Sequence, residues 1–192
     1  MTTIVLITTD SQVFLAADHK ESSDNVRRPD VSKIVKVDDW FVAGSGDVAF
    51  INILTSLLKH IEAKQFDKAD FDMAVRNFLK SNEAFPLFAP ETREASLFGV
   101  AVDESNTVLS LIELDIDKDG VHGNVLDIKN KTPINVYTIG SGGDIALGAF
   151  YGVLHNVKKN AKLSKEIEKV YNIVGELDLY TSASHDLVIL NR

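Results

Sequence analysis

The chain opens on an almost unbroken β-branched and apolar run, Thr3–Thr8 (TIVLIT), and repeats the pattern at Val13–Ala17 (VFLAA). Thr9-Asp10-Ser11-Gln12 between them is a turn-forming set, so the pair is predicted to be an antiparallel hairpin. Lys33–Val37 and Phe41–Ala43, separated by Asp38-Asp39-Trp40, predict a second hairpin. The intervening HKESSDNVRRPD is polar, carries a proline and reads as a loop. From Phe50 the period changes. Phe50, Leu54, Leu57, Leu58 and Ile61 fall at helical spacing, and Phe71, Val75, Phe78 and Leu79 repeat it, with Asp70 as a cap. Pro86 and Pro90 close the helical region, and strands return at Ser96–Asp103, Val108–Asp115, Val125–Ile128 and Val136–Ile139. Two further helices are predicted, one with Leu147, Phe150, Tyr151 and Leu154 inward, the other from Ser164 with Ile167, Val170, Tyr171 and Val174 inward. Leu187–Leu190 reads as a last strand.

Strands grouped in runs favour antiparallel sheets over alternating βαβ units. Four strands, two helices, about four strands, two helices and a final strand predict two antiparallel sheets face to face with helices on both outer faces. The expected class is an α+β, four-layer αββα sandwich. A length of 192 residues, 45% of them hydrophobic, suits one sizeable core, so residues 1–192 are expected to form a single domain. A net charge of −8 argues against a nucleic-acid partner, which needs a basic face to replace counterions, and against an anionic membrane surface. No apolar run approaches the roughly 18 residues that span a bilayer, and the first residues lack a signal-peptide pattern, so a cytoplasmic protein is expected. The absence of cysteine excludes thiol nucleophiles, cysteine–zinc sites and disulfides.

Chemistry is suggested first by Thr2. Removal of Met1 ahead of a small residue leaves a free α-amine beside the Thr2 hydroxyl, and an N-terminal amine can serve as the base that activates a threonine nucleophile. Its ordinary pKa of about 7.7–8.0 already lies near working pH. The plainer alternative is that Thr2 merely begins a strand. The glycine-rich Gly140-Ser141-Gly142-Gly143 could open a helix as a phosphate cradle. Asp144 in the first turn would repel a phosphate, and the spacing lacks Walker A or GxGxxG features. Asp115, Asp117, Asp119 and Gly120 spell the start of a calcium loop, but Leu126 stands where the bidentate glutamate is needed, so a solvated hairpin turn is expected. Ser184, His185 and Asp186 hint at a serine triad; without an elbow motif a structural histidine is the stronger reading.

Taken together, TTIVLIT, AADHK, SKI, AGSGD and TIGSGG resemble the β-subunits of the proteasome and the related bacterial HslV peptidase, which are N-terminal-nucleophile (Ntn) threonine hydrolases. The resemblance runs from Thr2 to YTSAS near the end. It implies the αββα Ntn-hydrolase fold, no cofactor or metal, and hydrolysis of peptide bonds in peptides or unfolded proteins. It further implies homo-oligomeric stacked rings and an ATP-dependent unfoldase as partner. By the same resemblance Thr2 is the nucleophile, Asp18 and Lys33 the charged pair beside it, Gly44 the oxyanion donor, and Ser141 a hydrogen-bond partner of the N-terminal amine. Thr181 and Ser184 fall near the final motif, where proteasome subunits carry an aspartate that YTSAS lacks. Phe50 replaces a residue that is polar in many relatives, and HKESSDNVRRPD matches neither group, so specificity does not carry over. Two alternatives remain: a peptide ligase of the same fold, and an inactive structural ring subunit if Met1 is retained.

Overall fold

In a computed structural model, the structure describes residues 2–23, 26–28, 31–81, 94–117, 120–126, 134–154 and 163–192. Met1, Pro86 and Pro90 lie outside them. The chain divides into two compact units, Met1–Ile34 with Asn130–Arg192, and Val35–Lys129.

In the first unit, β1 (Thr3–Thr9) and β2 (Gln12–Asp18) form the expected hairpin, with Ile4 opposite Ala17 and Thr8 opposite Val13. The Thr9 hydroxyl clasps the turn, donating to Gln12 C=O and accepting from Gln12 N–H at 3.0 Å. β10 (Ile134–Gly140) flanks β1 and β11 (His185–Asn191) flanks β2, giving the antiparallel order β10-β1-β2-β11. α3 (Gly143–Leu154) and α4 (Leu163–Leu177) cover one face. Val5, Ile7, Phe14 and Ala16 pack there against Ala146, Phe150, Ile167, Val170, Tyr171 and Val174. Ile4, Leu6 and Leu15 on the other face are equally buried, which explains why the opening run is continuously apolar rather than alternating.

The second unit holds the sheet β5-β6-β7-β8-β9, built from Ile34–Val37, Trp40–Gly46, Ala95–Val102, Val108–Asp117 and Gly120–Leu126. α1 (Val48–Lys59) and α2 (Lys68–Ser81) bury Phe50, Leu54, Leu57, Leu58, Phe71 and Val75 against Val42, Leu97, Ile112 and Leu114. Asp47 caps α1 through Ala49 N–H at 2.9 Å. Trp40 donates to Ile61 C=O at 3.0 Å, and Phe66 lies between Trp40 and Phe71 as one aromatic row.

Several expectations need correction. HKESSDNVRRPD contains two short paired strands, β3 (Glu21–Ser23) and β4 (Val26–Arg28), whose polar residues gave no alternating signal. α2 is capped by Asp67, whose carboxylate accepts Asp70 N–H at 2.8 Å; Asp70 is in the first turn. Tyr151 points outward at 65% exposure because Ala146 and Phe150 define the buried stripe of α3. The DxDxDG stretch joins strands β8 and β9, with Asp117 opposite Gly120; Asp119 lies outside the described residues.

Gly44 sits inside β6 opposite Leu97, where α1 crosses so closely that a Cβ would lie 2.7 Å from Ile51 Cγ2. Alanine at this position must displace Ile51, an overpacking cost of about 1–3 kcal/mol. Gly44→Ala is therefore expected to lower the urea midpoint, and the same change made in an Ile51→Ala background to cost much less. Equal losses in both backgrounds would show that the helix does not press on this strand.

Candidate active site

The first unit gathers its polar groups at one end of the β10-β1-β2-β11 sheet, where β1 begins, β2 ends, and the turns after β10 and α4 arrive. Thr2, immediately ahead of β1, is 7% exposed, so this residue is built into the unit. Asp18, the last residue of β2, is fully buried. Its Oδ1 accepts Thr3 N–H at 2.8 Å and Lys33 Nζ at 2.9 Å, while Oδ2 accepts Lys20 N–H at 2.9 Å and Ser182 N–H at 3.4 Å. A buried carboxylate is tolerated only when paired and hydrogen-bonded, and Asp18 has both forms of compensation. The Lys33 side chain is 10% exposed and also donates to Lys20 C=O. One oxygen atom thus holds the Thr3 amide and the Lys33 ammonium within two hydrogen-bond lengths of each other, a single peptide bond from Thr2.

A second cluster anchors Thr3 from the other side. Thr181 Oγ1 donates to Asp178 Oδ2 at 2.7 Å. Its one hydroxyl proton is thereby committed, so Thr3 is the donor in the 2.6 Å contact between Thr3 Oγ1 and Thr181 Oγ1. Ser141 Oγ donates to the same Asp178 Oδ2 at 2.7 Å, and Tyr180 N–H donates to Oδ1 at 3.0 Å. Gly142 makes room for this arrangement: a Cβ there would stand 2.2 Å from Thr3 Oγ1 and 3.1 Å from Asp178 Oδ2. Tyr171, buried in α4, donates its hydroxyl to Thr3 C=O at 3.1 Å. Burial, and secondarily the nearby Asp18 charge, push the Tyr171 phenol well above its ordinary range, so it remains a neutral donor.

The residues expected from sequence therefore divide. Asp18 and Lys33 meet directly; Ser141 and Thr181 meet through Asp178 and reach Thr3; Thr2 precedes them in the buried segment. Gly44 belongs to the second unit. Ser184 joins a different network: it is exposed, and its hydroxyl contacts His19 Nδ1 at 2.8 Å. His185 stacks on Tyr171 at 4.4 Å with Nδ1 facing Ala183 C=O at 3.0 Å, a structural histidine as expected. Sequence reading missed Asp178. Asp178 stands three residues ahead of Thr181, just past the end of α4, and the spacing Asp178-Leu179-Tyr180-Thr181 was the available signal. Among the described residues no cluster of histidine and carboxylate side chains could hold a metal ion, and no helix is long and apolar enough to cross a membrane.

Burial alone would raise the Asp178 carboxyl. Hydrogen bonds from Tyr180 N–H and the Thr181 and Ser141 hydroxyls, with the Lys20 charge, outweigh it and leave the group below its ordinary value. A folded-state pKa depressed in this way adds stability above the unfolded value of about 3.9 and loses it as pH falls through the folded value. Wild type is therefore expected to exceed Asp178→Asn in urea stability at pH 7, with the gap closing below about pH 4. A gap that stays constant from pH 7 to 3 would contradict an ionised Asp178 at the centre of the cluster.

No family model matches the sequence, and no curated protein does so. Solved structures do match. HslV from Trypanosoma brucei is similar over 99% of this chain and 99% of its own, at 20% identity and a TM-score of 0.64. Thiobacillus denitrificans BPH is similar at 16% identity and a TM-score of 0.68, over 98% of this chain and 97% of its own. The same protein in complex with epoxomicin gives 14% identity and 0.66, over 98% of both chains. At these identities the likeness is one of fold, and it is nearly complete in length. The chain carries the Ntn-hydrolase fold shared with HslV, the class that its element order and motifs had led one to expect.

Proposed function

We propose that this chain is an N-terminal threonine peptidase of the proteasome β and HslV kind, formed as a single domain and activated by removal of Met1. The observation that carries the reading is the buried Asp18 carboxylate, which accepts both the Thr3 amide and the Lys33 ammonium through one oxygen. With Met1 gone, the Thr2 α-amine takes the proton from Thr2 Oγ as the oxygen attacks a peptide carbonyl. Lys33, held charged by Asp18, keeps the amine neutral and stabilises the developing alkoxide. The tetrahedral oxyanion needs a backbone N–H, the role that the sequence resemblance gives to Gly44, and the protonated amine passes its proton to the leaving amine as the C–N bond breaks. Water activated by the same amine then releases the acid and restores the Thr2 hydroxyl. Ser141, Thr181 and Asp178 hold the Thr3 side chain and so the approach of Thr2 to this centre. No step needs a metal or cofactor.

The fold shared with HslV, and the epoxomicin complex of BPH, support a peptide-like substrate. Assembly into stacked rings and delivery of unfolded protein by an ATP-dependent unfoldase complete the proposal, in a cytoplasmic setting.

With Met1 removal verified by intact mass, Thr2→Ala is expected to reduce cleavage of a fluorogenic peptide by at least about a thousandfold. Lys33→Ala should lower kcat by a similar factor, and Thr2→Ser should retain measurable turnover. Undiminished cleavage by Thr2→Ala would remove the nucleophile from the account.

A further inference from the structure

Lys33 reaches Asp18 from a segment remote from β2 in sequence, and its long side chain costs about 2 kcal/mol of rotamer freedom when held still. Something must bring residues 31–33 to the end of β2. Part of the answer is backbone: Val31 N–H donates to His19 C=O at 3.1 Å, and Lys33 donates to Lys20 C=O. The rest is a side-chain network outside the groups already assigned. His19, next to Asp18, lies with Nε2 2.8 Å from Asp186 Oδ1 and Nδ1 2.8 Å from Ser184 Oγ. Ser32, next to Lys33, donates its hydroxyl to Ile34 C=O at 3.1 Å instead of joining this network. The His19 amide donates to Ser182 Oγ at 3.2 Å and Ser184 C=O at 3.0 Å, tying the end of β2 to the turn that feeds β11. His19 Nε2 and Asp186 Oδ2 are buried without an aligned hydrogen-bond partner among the described residues, so the 2.8 Å approach of Nε2 to Oδ1 is the contact that ties ring to carboxylate.

We infer that His19 and Asp186 are positioning residues that set the Asp18–Lys33 pair, by clamping the His19 ring to Asp186 on β11 and to Ser184 just ahead of it. Residue 19 thereby stays fixed beside Asp18 while its C=O holds Val31, two residues ahead of Lys33. Partial burial alone would raise the Asp186 carboxyl, but His19 and the charges of His19 and His185 bring it below its ordinary value, consistent with an anion at the middle of the clamp. His19, Ser184 and Asp186 also stand in hydroxyl–imidazole–carboxylate order. The Ser184 carbonyl, however, is bound to the His19 amide, and the His19 carbonyl to the Val31 amide, which fits a tie between segments better than a nucleophile relay.

The inference rests on the peptidase reading for its catalytic consequence, not for its geometry, and two His19 variants separate the contacts. In His19→Gln the side-chain nitrogen replaces Nε2 and still reaches Asp186, whereas in His19→Asn it replaces Nδ1 and reaches only toward Ser184. Asp186→Asn and His19→Asn are expected to lower kcat about tenfold with KM within about twofold, and His19→Gln to stay within about threefold of wild type. Independently of turnover, brief acetic anhydride treatment mapped by mass spectrometry should acetylate Lys33 several-fold faster in Asp186→Asn and His19→Asn than in wild type or His19→Gln. Should wild type fail to cleave peptides while this acetylation pattern appears, the clamp stands and the peptidase reading falls. Unchanged acetylation in Asp186→Asn, or equal losses in all three variants that track their melting temperatures, overturns the clamp. So does labelling of Ser184 by a fluorophosphonate in the Thr2→Ala background.

Discussion

The arrangement depends on one buried carboxylate. Asp18 ends a strand whose residues from Val13 to Ala17 are apolar and buried, so its charge has no recourse to solvent and must be satisfied by what the fold brings to it. Four donors meet that demand, from β1, from the residue after His19, from the turn ahead of β11, and from the Lys33 side chain. Each comes from a different stretch of chain, so the carboxylate works as a node that registers those stretches against one another. Removing one partner from such a node typically costs about 3–5 kcal/mol, because the remaining charge is left buried and unpaired. That strictness favours chemistry: a cation held there keeps its position and its charge.

The burial of Thr2 follows from the same logic. A first strand that is apolar on both faces cannot fray, and Thr3 is held at its amide by Asp18, at its carbonyl by Tyr171 and at its hydroxyl by Thr181. With every polar group of Thr3 committed, the residue ahead of it has little freedom, which is the form of preorganisation that N-terminal nucleophile chemistry requires. Asp178 does for the hydroxyl side what Asp18 does for the amide side, collecting Thr181 and Ser141 on one oxygen.

The hairpin β1–β2, the buried stripes of α1 and α4, and the pairing of Asp18 with Lys33 were legible in the sequence. Each leaves a strong local trace: a β-branched run, a helical apolar period, or motifs in family order. The short pair β3–β4 was not legible, because Glu21–Ser23 and Val26–Arg28 have no apolar alternation and are defined by their pairing. Tyr151 was misread because small Ala146 carries the buried face of α3, and small residues barely register in a hydrophobic period. Asp178 was overlooked because an aspartate was sought inside YTSAS, whereas the turn after α4 brings Asp178 back to Thr181 from three residues earlier. The meeting of His19 with Asp186 left no trace, since it depends on the lateral register of β11 against β2, with His185 opposite Asp18.

The central claim is that Thr2, freed of Met1 and faced by a cation fixed on Asp18, is the reactive group. Active-site titration with epoxomicin, followed by peptide mapping of the labelled protein, tests it most directly. The account predicts one equivalent of label per chain, on Thr2, at a rate that falls at least about tenfold in Asp18→Asn protein that remains folded. Label found on another residue, or Thr2 labelled as fast in Asp18→Asn as in wild type, would contradict it.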